Sequence, residues 1–154
     1  MGAVYFYHLT RSALEAALPM LLERARGAGW RVAVRGPDAA RLRWLDEQLW
    51  LGPEDEFLAH GTAGGPHDAL QPVLLTTGPV PEGCACLMVF DGAEVVADEV
   101  ATTERACILF DGNDPAAVDR ARGQWKVLTS AGIPAQYWSE ESGRWEKKAE
   151  ANAA

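Results

Sequence analysis

Residues 4–34, VYFYHLTRSALEAALPMLLERARGAGWRVAV, decide the fold class. The opening six, VYFYHL, are aromatic and β-branched and read as a strand. Ser12 with Glu15 three residues on has the pattern of a helix-capping box, and Leu14, Leu18, Leu21 and Leu22 recur at helical spacing. An interior proline costs a helix about 3 kcal/mol, so Pro19 predicts a kink or a second helix start. Gly27 and Gly29 end the segment, and residues 30–34 (WRVAV) form the next strand. Strand, helix and strand with short joints begin a parallel crossover.

Working outward, Gly36-Pro37-Asp38 is a turn and cap, followed by a helix over 39–51 with Leu42, Leu45, Leu49 and Trp50 on one stripe. Residues 52–72 read as loop, with Phe57 and Leu58 as an apolar island. Residues 73–76 and 86–90 are short apolar strands, 106–110 (ACILF) is a strand of buried type, and 93–103 fits helix or strand equally. Asp114-Pro115 is a capping Asp with Pro at the first helical position, predicting a helix to about Ser130 that stops at Gly132. Its buried stripe is expected to be Val118, Ala121, Trp125 and Leu128. Residues 135–138 (AQYW) make a last strand, and the end from Lys147 is expected to fray. This alternation predicts one α/β domain: a mostly parallel central sheet with helices on both faces.

Composition narrows the function classes. The 154 residues suit a single domain. The first residues show no basic stretch leading into an apolar one, so no signal peptide is expected, and no run is long and apolar enough for a membrane span. A cytoplasmic location follows as the expectation. Cys84 and Cys86 point the same way from an extended backbone, too close for a comfortable bridge, and His8, His60 and His67 fit no zinc spacing. Reduced cysteines, no metal and no cofactor are expected. The net charge of −8 speaks against direct contact with nucleic acid. Its distribution says more. From Trp44 to Glu104 there are twelve acids and no Lys or Arg, whereas Arg120, Arg122 and Lys126 fall within seven residues with no acid after Asp119. A locally basic helix on an acidic chain suits a small acidic ligand.

Catalytic motifs are absent from the sequence. No G-x-x-x-x-G-K-[ST] loop occurs, no G-x-G-x-x-G follows the first strand, and no serine occupies a G-x-S-x-G elbow. Gly61-Thr62-Ala63-Gly64-Gly65 reads as a connector, and His60 and His67 beside it lack a nucleophile or acid partner. Two constellations remain. Trp50, Pro53 and Phe57 set aromatics beside Glu54, Asp55 and Glu56, and the residues leave core burial and interface use both open. Arg122 and Lys126, four apart, share a helix face bordered by Trp125. One account is a solvated basic surface over a buried indole. The other is a cleft for an acidic peptide ending in an apolar residue, whose carboxylates meet the cations while its end packs on the ring.

Tyr5-Phe6-Tyr7-His8-Leu9, Leu45-Asp46-Glu47-x-Leu49-Trp50, Phe57-Leu58-x-His60-Gly61 and Arg122-x-x-Trp125-Lys126…Ala131-Gly132 match, in order and spacing, the chi subunit of bacterial DNA polymerase III. The chain resembles that family over nearly its whole length. The resemblance implies a single Rossmann-like domain over 1–146 with a tail over 147–154, and an accessory subunit with no catalysis of its own. It implies that Arg122, Trp125 and Lys126 bind the acidic C-terminal tail of single-stranded-DNA-binding protein. It also implies that Trp50, Pro53 and Phe57 bind the psi subunit of the clamp loader or a repair-type helicase. The family's helix often carries further basic residues near Gly123 and Gln124, which this chain lacks, and Gly123 weakens the helix by roughly 1 kcal/mol relative to Ala. The runner-up from the residues is a small nucleotide-binding α/β enzyme.

Overall fold

The structure, a computed structural model, describes residues 2–50, 61–62, 73–78, 80 and 83–152. The elements run β1 (Ala3–Leu9), α1 (Leu14–Gly27), β2 (Val32–Arg35), α2 (Ala39–Trp50), β3 (Gly61–Thr62), β4 (Val73–Thr76) and β5 (Cys86–Val89). They continue with α3 (Ala97–Ala101), β6 (Arg105–Asp111), α4 (Pro115–Ser130), β7 (Ala135–Ser139) and β8 (Glu146–Ala151). The strands form one sheet in the order β3-β4-β2-β5-β6-β1-β7-β8. Neighbours pair parallel throughout except β7 with β8, so the α/β reading with a mostly parallel sheet holds.

Parallel strands covered on both faces need continuous apolar runs, and β2, β4 and β5 are buried at every position. Alternate residues then feed two cores. Val32, Val34, Met88 and Leu109 join Leu18, Leu22, Leu42 and Leu45 of α1 and α2 on one face. Val4, Phe6, Leu87 and Ile108 join Val100, Ala117, Ala121 and Leu128 of α3 and α4 on the other. Fully burying an aliphatic side chain of this size contributes about 1.5–3 kcal/mol.

The chain entry to α1 differs from expectation. Ser12 caps no helix end. The N-cap is Ala13, without a side-chain hydrogen bond. Instead the Ser12 hydroxyl and the backbone N–H groups of Thr10, Arg11 and Ser12 all donate to the buried carboxylate of Glu140. The helix also runs unbroken through Pro19. Residues 97–101 settle as the short helix α3, whose Glu99 carboxylate takes Arg35 of β2 in a largely buried pair. Gly61 and Thr62 pair with β4 and so are strand, not loop. The expected fray from Lys147 is overturned: 146–151 are β8, and Asn152 beyond it donates to Thr129 O (2.8 Å) and Ile133 O (3.1 Å) at the end of α4. All three cysteines are free and buried. Among the described residues no helix is long and apolar enough to cross a membrane.

Burial alone would raise the Glu140 carboxyl, but the bonds from Ser12, Arg11 and Thr10 more than offset it and hold it below the ordinary value of 4.5. Its stabilisation is therefore complete above that value and is lost as pH falls through the lowered one. Glu140→Ala should lower unfolding stability at pH 7 by about 1–3 kcal/mol through stranded donors. In urea titrations the gap between the two proteins should close as the pH drops below 4.5.

Candidate functional site

Helix α4 is built as its sequence requires. Asp114 accepts from Ala116 N at 3.0 Å, Pro115 takes the first position, and Gly132 lies just past the end at φ +83°. The helix buries Ala117, Ala121 and Leu128 against the sheet. Trp125, expected among the buried stripe, is only half-buried, because it sits at the border of that face. Its ring packs edge-on against Phe6 (5.3 Å between centroids) and Tyr137 (6.1 Å).

Beneath that contact is a polar hinge of aromatic groups. The Tyr137 hydroxyl lies 2.8 Å from His8 Nδ1, and His8 Nε2 lies 3.3 Å from Gly112 O. An Nε2–H tautomer satisfies both, with the tyrosine donating and the ring donating to the carbonyl. His8 stacks on Phe110 at 5.1 Å, so close to residue 112 that a Cβ there would fall 1.8 Å from the ring. Glycine is required at that position for this approach. Burial pushes the Tyr137 hydroxyl pKa up, while the nearby Arg122 charge opposes and Glu141 reinforces the rise.

Arg122 and Lys126 are both exposed, and among the described residues neither makes an ion pair or a side-chain hydrogen bond. Four residues apart on α4, they are neighbours one turn from each other, beside an indole that still has an open side. The structure thus brings Arg122, Trp125 and Lys126 together. It separates Arg120 from them. That guanidinium lies over Gly92, against a groove of about 450 Å³ on the other flank of α4. Exposed Val96 and Val127 stand on that groove, a feature the sequence reading missed because both valines sit at polar-looking positions. Trp50 ends α2, but its side chain, together with Pro53, Phe57, His60 and His67, lies outside the described residues.

The family described as DNA polymerase III chi subunit, HolC, matches residues 1–136. The chain belongs to the DNA polymerase III chi subunit family. The matched span takes in all of α4, so the Arg122–Lys126 surface lies within the chi-family domain. The chain is also similar to a tRNA-specific 2-thiouridylase MnmA of Caulobacter sp. (strain K31), 37% identical over 98 residues. That alignment covers 57% of this chain and 23% of the relative, so the chain spans less than a quarter of the length of the curated relative it matches.

On this geometry Arg122→Ala and Lys126→Ala should each leave unfolding stability within about 0.5 kcal/mol of the parent, because neither side chain has an internal partner. Trp125→Ala should cost about 2–3 kcal/mol through its lost contacts with Phe6 and Tyr137. Denaturant midpoints would show both.

Proposed function

We propose that this chi-family chain is a non-catalytic adaptor of the replicative DNA polymerase III. In this reading it links the clamp-loader assembly to single-stranded-DNA-binding protein by holding that protein's acidic C-terminal tail. The observation that carries the proposal is that Arg122 and Lys126, exposed and without an ion pair or side-chain hydrogen bond among the described residues, lie one turn apart on α4 next to the half-buried Trp125. Arg122 and Lys126 take the tail's carboxylates in charge-assisted bonds, and its apolar end covers the free side of Trp125. Exposed charge pairs contribute under about 1 kcal/mol each, so the indole supplies the larger part. Several tails on one oligomer compensate for modest affinity by raising the local concentration. With a net charge of −8, the adaptor itself does not touch DNA, and as a replication subunit it works in the cytoplasm.

A labelled acidic peptide ending in an apolar residue tests this. Arg122→Ala and Lys126→Ala should each weaken binding about three- to fivefold, Trp125→Ala more, and added salt should weaken the parent. Unchanged affinity in both charge variants would refute the assignment. The second surface, Trp50, Pro53 and Phe57, is proposed to hold the psi subunit or a repair-type helicase. Phe57→Ala should abolish capture of that partner while tail binding persists, and loss of both together would indicate misfolding instead.

A nucleotide-binding enzyme is the competing reading. The groove beside α4 favours it, since Phe90 and Phe110 place it near the carboxyl ends of β5 and β6, where open α/β sheets take ligands. Saturable thermal stabilisation by a nucleotide would support that reading against the adaptor.

A further inference from the structure

On the opposite face of the sheet from α4, under α1, lies a second cavity of about 440 Å³, in the size range of small-molecule sites. Five aromatic rings line it: Tyr5, Tyr7, Trp30, Trp138 and Trp145. Tyr7 and Trp145 already meet edge-on at 5.6 Å, which fixes one wall. Cys86, Met88 and Cys107 add soft sulfur surface, which packs well against an aromatic ring.

The cavity also holds two cations, Arg24 and Arg105, and among its described lining residues there is no acid. In a chain of net charge −8 that is an unusual balance. The Arg105 guanidinium lies 4.2 Å from the Tyr5 ring centroid and 5.1 Å from that of Trp30. Its Nε is buried with no hydrogen-bond partner, and among the described residues neither Arg105 nor Arg24 makes an ion pair. Stacking on rings satisfies the faces of a guanidinium but leaves its in-plane donors asking for an acceptor. Buried donors without one are rare in folded proteins, and this one belongs to a residue of the cavity wall.

We propose that this cavity binds a planar aromatic ring carrying a carboxylate. The carboxylate matches the guanidinium fork of Arg105, with Arg24 at the rim adding a second positive charge. The ring fills the space between the indoles. A phosphate suits the site less well. Arg105 and Cys86, the first residues of β6 and β5, lie in its wall, and beside it runs the C-terminal half of α1. Among its described lining residues no glycine loop or helix N-terminus supplies the backbone N–H groups that a phosphate dianion uses.

The test uses 3-phenylpropionate and its neutral twin 3-phenylpropanamide, followed by indole N–H signals in NMR. The acid should bind saturably and at least about tenfold more tightly than the amide. Arg105→Gln should abolish the preference for the acid. Arg24→Ala, at an exposed rim position, should weaken the acid about threefold with the fold intact. Equal binding of acid and amide would overturn the proposal. So would tighter binding of adenosine monophosphate, full binding by both arginine variants, or no signal at about 10 mM ligand. A short peptide ending in free tyrosine identifies the source: capture points to the end of a partner chain, and capture of the small acid alone points to a free ligand.

Discussion

The indole of Trp125, set edge-on against Phe6 and Tyr137, fixes how α4 is rotated on the sheet, and the candidate surface depends on that rotation. With the ring held there, Ala117, Ala121 and Leu128 turn inward, and Arg122 and Lys126 must turn out. Small residues at 117 and 121 let the helix lie close to Ile108 and Phe110. The Tyr137–His8–Gly112 chain of hydrogen bonds then locks the ring beneath Trp125 to the end of β1. A rotation of the helix by one position would bury a cation and expose an alanine, so packing selects this geometry.

Charge organises the rest. An acidic chain tolerates its excess because selected carboxylates are consumed internally. Glu140 gathers the amides that lead into α1, and Glu99 holds Arg35, whose other donors reach Gly78 O and Glu94 O. The Arg35 bond to Glu99 keeps that carboxyl below its usual range despite burial. These ties brace the carboxyl ends of β1 and β2 with charged groups. Among the described residues Arg122 and Lys126 on α4 receive no such partner.

Much of the fold was legible because it is local. Pro115 and Asp114 mark the start of α4 to the residue, and the apolar runs of β4 and β5 announce buried parallel strands. What was misread is non-local. Nothing near Ser12 shows that its hydroxyl will be claimed by a carboxylate 128 residues away. Glu146–Ala151 looks like a polar tail because a charged edge strand carries little apolar signal and gains its order from pairing with β7. That Arg122, Trp125 and Lys126 are neighbours on one helix was legible from helical spacing, but the division of Arg120 from Arg122 needed the helix's rotation. The aromatic cavity was hidden for a related reason: its rings come from β1, the α1–β2 joint, β7 and the segment before β8, which only the sheet order brings together.

The adaptor account stands on an acidic chain end meeting α4 and nowhere else. A ¹H–¹⁵N titration of the folded chain with an acidic peptide ending in an aliphatic residue would follow every indole and amide at once. The account predicts saturable shifts of the Trp125 indole and of the backbone from Arg122 to Val127, with Trp30 and Trp145 unmoved. Shifts confined to those other indoles, or none along α4, would contradict it.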